Sequence, residues 1–270
     1  MLRIKYGHTL YPHKTFVFSG GEVQVKLGEY PFRGFPNALR LEAHITNSND
    51  FMELALAVDA IRRRHGSHVE LYLTLPYLPY ARQDRAMTDG ESLALKVFID
   101  LLNSLKLDAV EVWDVHSDVA LALINNVRHR PVENILSSEI LGDSILVAPD
   151  AGSLKKVSAV AKKFGRRMVR ADKTRSVIDG SITGTVVYSE NVGDSDFLIV
   201  DDICDGGRTF FELGKELRKL TTGRVELYIT HGIFSKGVEA IDAVFDKIYC
   251  AVPFPGVDLK NPKLTIIGGL

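Results

Sequence analysis

Cysteine is scarce. The 270-residue chain holds two, Cys204 and Cys250, which form neither a CxxC pair nor a zinc-ligand cluster. The chain therefore needs no disulfide staple, and a reducing compartment is the simplest expectation. Net charge is nearly absent as well: 33 basic and 34 acidic residues leave a formal charge of -1. Such a balance neither holds a polyanion nor hugs an anionic membrane, which argues against nucleic acid and against a membrane as partners. No apolar run reaches membrane-spanning length, and the opening MLRIKYGHTLYPHKTFVFSG lacks the continuous apolar core of a signal peptide. A cytoplasmic protein is expected. Low-complexity tracts, a linker rich in Pro, Gly or Ser, and an evident internal repeat are also missing.

What is present suits a packed globular protein: 46% apolar and 25% charged residues in a chain long enough for one large domain or two ordinary ones. From residue 51 two hydrophobic periods alternate. In FMELALAVDAIRRRH the residues Phe51, Leu54, Ala55, Val58 and Ile61 share one helical face, with Asn49 or Asp50 as N-cap. VELYLTL at 69–75 reads as a strand cut off by Pro76 and Pro79. The alternation continues with helices near 91–105, 117–126, 153–164 and 208–220. Between them fall strands near 109–114, 144–149, 167–171, 183–189, 196–201 and 225–230. In the helix at 153–164 the buried face would be Leu154, Val157, Ala161 and Phe164. Strands separated by helices pair in parallel, because the crossover returns the chain to its starting end. The expected fold class is α/β, with two doubly wound parallel-sheet domains joined near the polar stretch NNVRHRPVEN: residues 1–128 and residues 129–270.

The most informative segment is DFLIVDDICDGGRTFFELGKEL, where an apolar strand ends in Asp201 and Asp202 and a helix begins near Arg208. Between them, Gly206 and Gly207 let backbone approach a ligand, and loop amides with the helix N-terminus offer a phosphate site. Thr209 adds a hydroxyl donor. The two carboxylates can accept hydrogen bonds from sugar hydroxyls beside that phosphate. A sugar phosphate satisfies both demands. The segment resembles the phosphoribosyl-pyrophosphate loop of the type I phosphoribosyltransferase superfamily. By that resemblance Asp201, Asp202, Asp205, Gly206, Gly207, Arg208 and Thr209 are the ribose 5-phosphate contacts. Arg208 stands where the family usually has glycine, and either adds a phosphate contact or alters loop closure.

Other strings resemble one branch of that superfamily, the ribose-phosphate pyrophosphokinases. PYLPYARQDR implies nucleotide contacts at Arg82 and Gln83, and its clustered guanidinium groups suit phosphate or base recognition. VFSGGEVQVKLGE resembles the adenine-binding segment and implies Phe18 and Glu22 as ATP contacts, although FSGGE alone reads equally as a hairpin turn. VEVWDVHSD resembles the Asp-x-His segment and implies Asp114 and His116 as metal contacts, with His116 also at the ATP phosphates. ILVAPDAGSLKK implies that Asp150 binds Mg2+ directly or through water, as suits a hard cation. VRADKTRS matches the mobile catalytic loop and implies Lys173 and Arg175 as the catalytic cations. The resemblance thus implies ATP and ribose 5-phosphate as substrates, magnesium as cofactor and a homo-oligomeric assembly. A phosphoribosyltransferase would explain residues 196–220 and leave PYARQDR without a task. A noncatalytic relative is suggested by Gly20, Thr174 and Arg208, yet the Lys, His and acidic positions for chemistry are present.

Overall fold

Strand formation begins well before residue 51. Five strands, β1 (Leu2–Tyr6), β2 (Thr9–Leu10), β3 (His13–Val17), β4 (Val23–Leu27) and β5 (Ala38–Ala43), precede the first helix in the computed structural model. It describes every residue except 32, 33, 35, 176–181, 190, 191, 269 and 270, with backbone alone at 173–175 and 182–185. Helix α1 (Ser48–His65) is capped by Asn47, not by Asn49 or Asp50. The Asn47 side chain accepts from the Asp50 amide, while the Asp50 carboxylate accepts from the Asn47 amide at 3.3 Å. This capping box satisfies two helix-end donors and fixes the start of the helix.

There follow β6 (Glu70–Leu75), α2 (Ala94–Ser104), β7 (Ala109–Trp113), α3 (Asp118–Leu123) and β8 (Val127–Arg130). The polar stretch expected to be a joint is in part an edge strand. Residues 127–130 pair with β7 in parallel, and a 3-10 turn at Val132–Asn134 follows directly. The first sheet runs β2-β1-β5-β6-β7-β8, with β5 to β8 parallel and β1 antiparallel to both its neighbours. Alternate residues Leu39, Leu41, Leu71, Leu73, Val110 and Val112 point into one core with Leu54, Ile61, Leu95, Phe98 and Ala120 from the three helices. A period of two on strands meets a period of 3.6 on helices.

The second series comprises α4 (Ser138–Leu141), β9 (Ile145–Ala148), α5 (Leu154–Phe164), β10 (Met168–Arg175), β11 (Ile182–Val187), β12 (Phe197–Cys204), α6 (Arg208–Leu217) and β13 (Val225–Gly232). It closes with α7 (Glu239–Asp242), β14 (Lys247–Pro253) and β15 (Leu264–Ile266). Sheet order is β11-β10-β9-β12-β13-β14-β15, parallel except for the antiparallel pair β10–β11. Two separate cores cover its two faces. One holds Ile145, Val147, Ile199 and Leu227 with α6, and the other holds Leu146, Ala148, Leu198 and Val200 with α5. Within α5 the buried residues are Val157, Val160 and Ala161, while Leu154 and Phe164 are only partly covered.

The chain divides into two compact units, Met1–Arg130 and Pro131–Leu270. Among the described residues no helix is long and apolar enough to cross a membrane.

Candidate active site

In the second unit the chain leaves β9 to build β10 on one side, then crosses back to place β12 on the other side of β9. Strand order therefore reverses between β9 and β12, and a crevice opens at the carboxyl ends of that pair, where open α/β sheets bind ligands. Val147 sits opposite Ile199, so Asp150 and the pair Asp201–Asp202 emerge together at this end. Asp150 is held in a tight turn: its Oδ1 accepts from the Ser153 amide at 3.1 Å, and the Ser153 hydroxyl donates to its carbonyl at 2.9 Å.

The two acids of β12 differ in surroundings because a strand sends successive side chains to opposite faces. Asp202, 6% exposed, accepts from Lys156 Nζ at 2.6 Å. Asp201 Oδ1 accepts from the Asp202 amide at 3.0 Å. Burial above all, and then the negative charge of Asp202, raise its carboxyl well above the usual range; Asp150 adds to this and Lys156 opposes it. Burial and the neighbouring acids thus favour the protonated form of Asp201, and a protonated carboxyl can donate to a sugar oxygen.

Beyond β12 the loop runs Asp205-Gly206-Gly207 into α6, whose first residue is Arg208. Gly207 has φ +75, and a Cβ there would lie 2.3 Å from Ile241 Cγ2, so both conformation and space require glycine. Helix α6 has no side-chain cap. Its first amides, with half-buried Thr209 and exposed Arg208 beside them, are arranged for an anion. Lys173 and Arg175 lie in β10, next to β9, on a strand paired with β11, but their side chains are outside the described residues.

In the first unit, the loop after β6 and the turn after β7 meet. Ser117, the N-cap of α3, donates from its hydroxyl to Asp84 Oδ2 at 2.7 Å, and Arg85 Nε donates to Asp84 Oδ1 at 2.9 Å. The Arg85 bond first, then that from Ser117, hold the Asp84 carboxyl down at about 2. Arg82 and Gln83 are exposed on this loop, whose backbone turns at Tyr80 with φ 62 and is tied to α2 by the Leu95 amide on the Gln83 carbonyl at 3.3 Å. His116 is exposed, whereas Asp114, with φ 37, is only 1% exposed. Phe18 and Glu22 occupy the turn of a separate two-stranded sheet, β3–β4, where the Phe18 amide donates to the Glu22 carbonyl at 2.8 Å. FSGGE is a hairpin turn, with Phe18, 53% exposed, in the pair that closes it.

Among the described residues no group of three or more His, Cys, Asp or Glu is arranged to hold a metal ion. The Asp150 carboxylate at this strand end is nevertheless a donor of the kind magnesium uses, since that cation takes one or two carboxylates and completes its shell with phosphate oxygens and water. Lys156 and Ser117 escaped the sequence reading. Lys156 carried a signal: it precedes Val157 on the inner stripe of an amphipathic helix, where a lysine needs a partner.

A doubly wound sheet with an acid pair and a glycine loop at its switch point defines an α/β protein of the phosphoribosyltransferase type. Residues 3–105 match the family model described as the N-terminal domain of ribose phosphate pyrophosphokinase. The chain is 31% identical over 239 residues to the ribose-phosphate pyrophosphokinase of Haemophilus influenzae, covering 86% of this chain and 74% of that one. It is 30% identical over 240 residues to that of Pyrococcus furiosus, covering 86% and 82%. In structure it is similar to phosphoribosylpyrophosphate synthetase from Mycobacterium smegmatis, with a TM-score of 0.78 at 23% identity over 96% of this chain and 87% of the other. The chain belongs to the ribose-phosphate pyrophosphokinase family of transferases.

Proposed function

We propose that the protein transfers the β,γ-pyrophosphate of Mg-ATP to the C1 hydroxyl of ribose 5-phosphate, giving phosphoribosyl pyrophosphate and AMP. The observation that carries this reading is the exposed Arg82 and Gln83 on the loop after β6, within the matched residues 3–105, together with the run from Asp201 to Thr209, in which an acid pair and an uncapped helix start flank two glycines. The 5-phosphate rests on the amides of Asp205, Gly206, Gly207, Arg208 and Thr209, while Asp201 and Asp202 hold the sugar hydroxyls. Arg82, Gln83, His116, Phe18 and Glu22 are the ATP contacts. Asp150 holds magnesium directly or through water, and Asp114 and His116 are the further metal contacts. The metal supplies charge neutralisation on the ATP oxygens.

The C1 oxygen attacks the β-phosphorus in line, the hydroxyl proton is released, and AMP leaves with the bridging oxygen. The protein contributes positioning and charge stabilisation more than covalent chemistry. Lys173 and Arg175 offset the negative charge that spreads over the transferred group. Both cysteines are buried and unpaired, which suits a cytoplasmic enzyme, and we propose a homo-oligomeric assembly as the resemblance implies.

The test is the purified protein with magnesium, ATP and ribose 5-phosphate, following AMP. AMP release that depends on ribose 5-phosphate is expected. Silence there, with base-dependent release of pyrophosphate from phosphoribosyl pyrophosphate, would make the protein a phosphoribosyltransferase. Silence in both assays would make it a noncatalytic relative.

A further inference from the structure

The turn after β13 is fastened to the phosphate loop along its length. The Cys204 carbonyl accepts from the amides of Ile233 at 2.8 Å and Phe234 at 3.1 Å, and the Asp205 carbonyl accepts from the Ser235 amide at 3.2 Å. The Ser235 hydroxyl donates to Asp205 Oδ1 at 2.6 Å. Phe234 is buried with φ 45, a conformation that a phenylalanine keeps only when its surroundings hold it there. Lys236 follows at once. A Cβ built on Gly206 would lie 3.7 Å from both Cδ and Cε of Lys236, so the aliphatic stem passes beside Gly206. Nothing in the sequence reading gave this residue a task.

We propose that Lys236 is a phosphate-binding residue of the sugar-phosphate site, its ammonium pairing with the 5-phosphate that the Asp205–Thr209 backbone cradles. The proposal rests on the reading of that loop as the ribose 5-phosphate site. The electrostatic need is local. The Asp205 carboxylate stands in the loop itself, and a phosphate dianion must settle beside it. Lys156 is engaged with Asp202 and so cannot serve the phosphate. Arg208 offers one cation at the helix start, and Lys236 brings a second from across Gly206. A lysine suits this place because a compact ammonium with three donors on a flexible stem can follow a phosphate that lies over a loop. The Ser235–Asp205 bond fixes the base of that stem, which limits how much freedom is lost when the phosphate arrives.

The experiment compares wild type, Lys236→Ala and Lys236→Arg in the AMP-release assay and in calorimetric binding of ribose 5-phosphate. Lys236→Ala should raise KM and Kd for ribose 5-phosphate about tenfold with kcat within about twofold, the pattern of lost uniform binding. Lys236→Arg should recover most of the loss, and the difference between Ala and wild type should shrink as salt is raised. Unchanged KM and Kd in Lys236→Ala overturns the proposal. So does a fall in kcat and thermal midpoint that Lys236→Arg does not restore, because that marks a purely structural lysine. If wild type releases no AMP yet binds ribose 5-phosphate, and Lys236→Ala binds it about tenfold more weakly, the kinase reading falls and the Lys236 proposal stands. If wild type binds no ribose 5-phosphate, both fall.

Discussion

Lys156 on α5 and Asp202 at the end of β12 are 46 residues apart in sequence and 2.6 Å apart in space, with side chains 21% and 8% exposed. A buried pair of this kind fixes geometry more than it adds stability, since each ion lost its water to reach the other. Breaking it from one side leaves an uncompensated charge. Lys156→Met should therefore lower unfolding free energy by about 3 kcal/mol, and the double variant Lys156→Met with Asp202→Leu should regain much of that. Urea titration of the three proteins decides it. Equal stability of the single variant and wild type would show that the pair carries no such weight.

Asp201 makes the opposite case. Its folded-state pKa lies above the unfolded one, so the contribution of its protonated form is fully present below about pH 4 and is lost as pH rises through the folded value. Asp201→Asn keeps the shape and removes the titration. The variant should melt at a higher temperature than wild type at pH 7 and lose that advantage near pH 4, while its use of ribose 5-phosphate falls. A melting temperature unchanged at pH 7 would argue that Asp201 is ordinarily ionised.

Asp84 is depressed instead, to about 2. Its contribution is present above the unfolded value near 4 and disappears as pH falls toward 2. Because Arg85 is 72% exposed, solvent screening reduces that half of the arrangement, and about 1–2 kcal/mol is expected. Ser117→Ala should weaken acid resistance between pH 4 and 2 by part of this amount. Acid titration followed by circular dichroism would read it.

The two glycines of the phosphate loop should behave differently. Gly207→Ala places a methyl into Ile241 in a left-handed backbone and should cost about 2 kcal/mol or more. Gly206→Ala meets only the Lys236 stem at ordinary contact distance and should leave the thermal midpoint within about a degree or two of wild type. Similar losses at both sites would contradict this account.

Lys173→Ala should depress turnover far more than it weakens ribose 5-phosphate binding, because a charge offset that grows in the transition state appears in kcat. Steady-state kinetics with direct binding separates the two. Equal activity removes the role assigned to Lys173.

Much of the second unit was legible because β9, β12 and β13 are short apolar runs and α5 and α6 are amphipathic helices. The acid pair and the glycines also stood in one continuous string. The first fifty residues were harder. Strands β1 to β4 are short and, in β2 and β3, mostly exposed, so no buried face leaves an alternation to read. The boundary between Arg130 and Pro131 falls inside the polar stretch read as the joint, but that VRHR within it is an edge strand was not legible, because such a strand can remain polar while its backbone pairs with β7. The contacts that tie motifs to one another were not legible at all. Ser117 to Asp84 and Lys156 to Asp202 join residues 33 and 46 positions apart, and only the parallel sheet brings them together.

Strand β13 has all eight residues buried, including Glu226, Thr230 and His231, and is paired along both edges. Opening it means parting both cores of the second unit at once. Its amide protons should consequently be among the slowest in the chain to exchange with deuterium, and the floor beneath the Gly206 turn would loosen only when the whole unit comes apart.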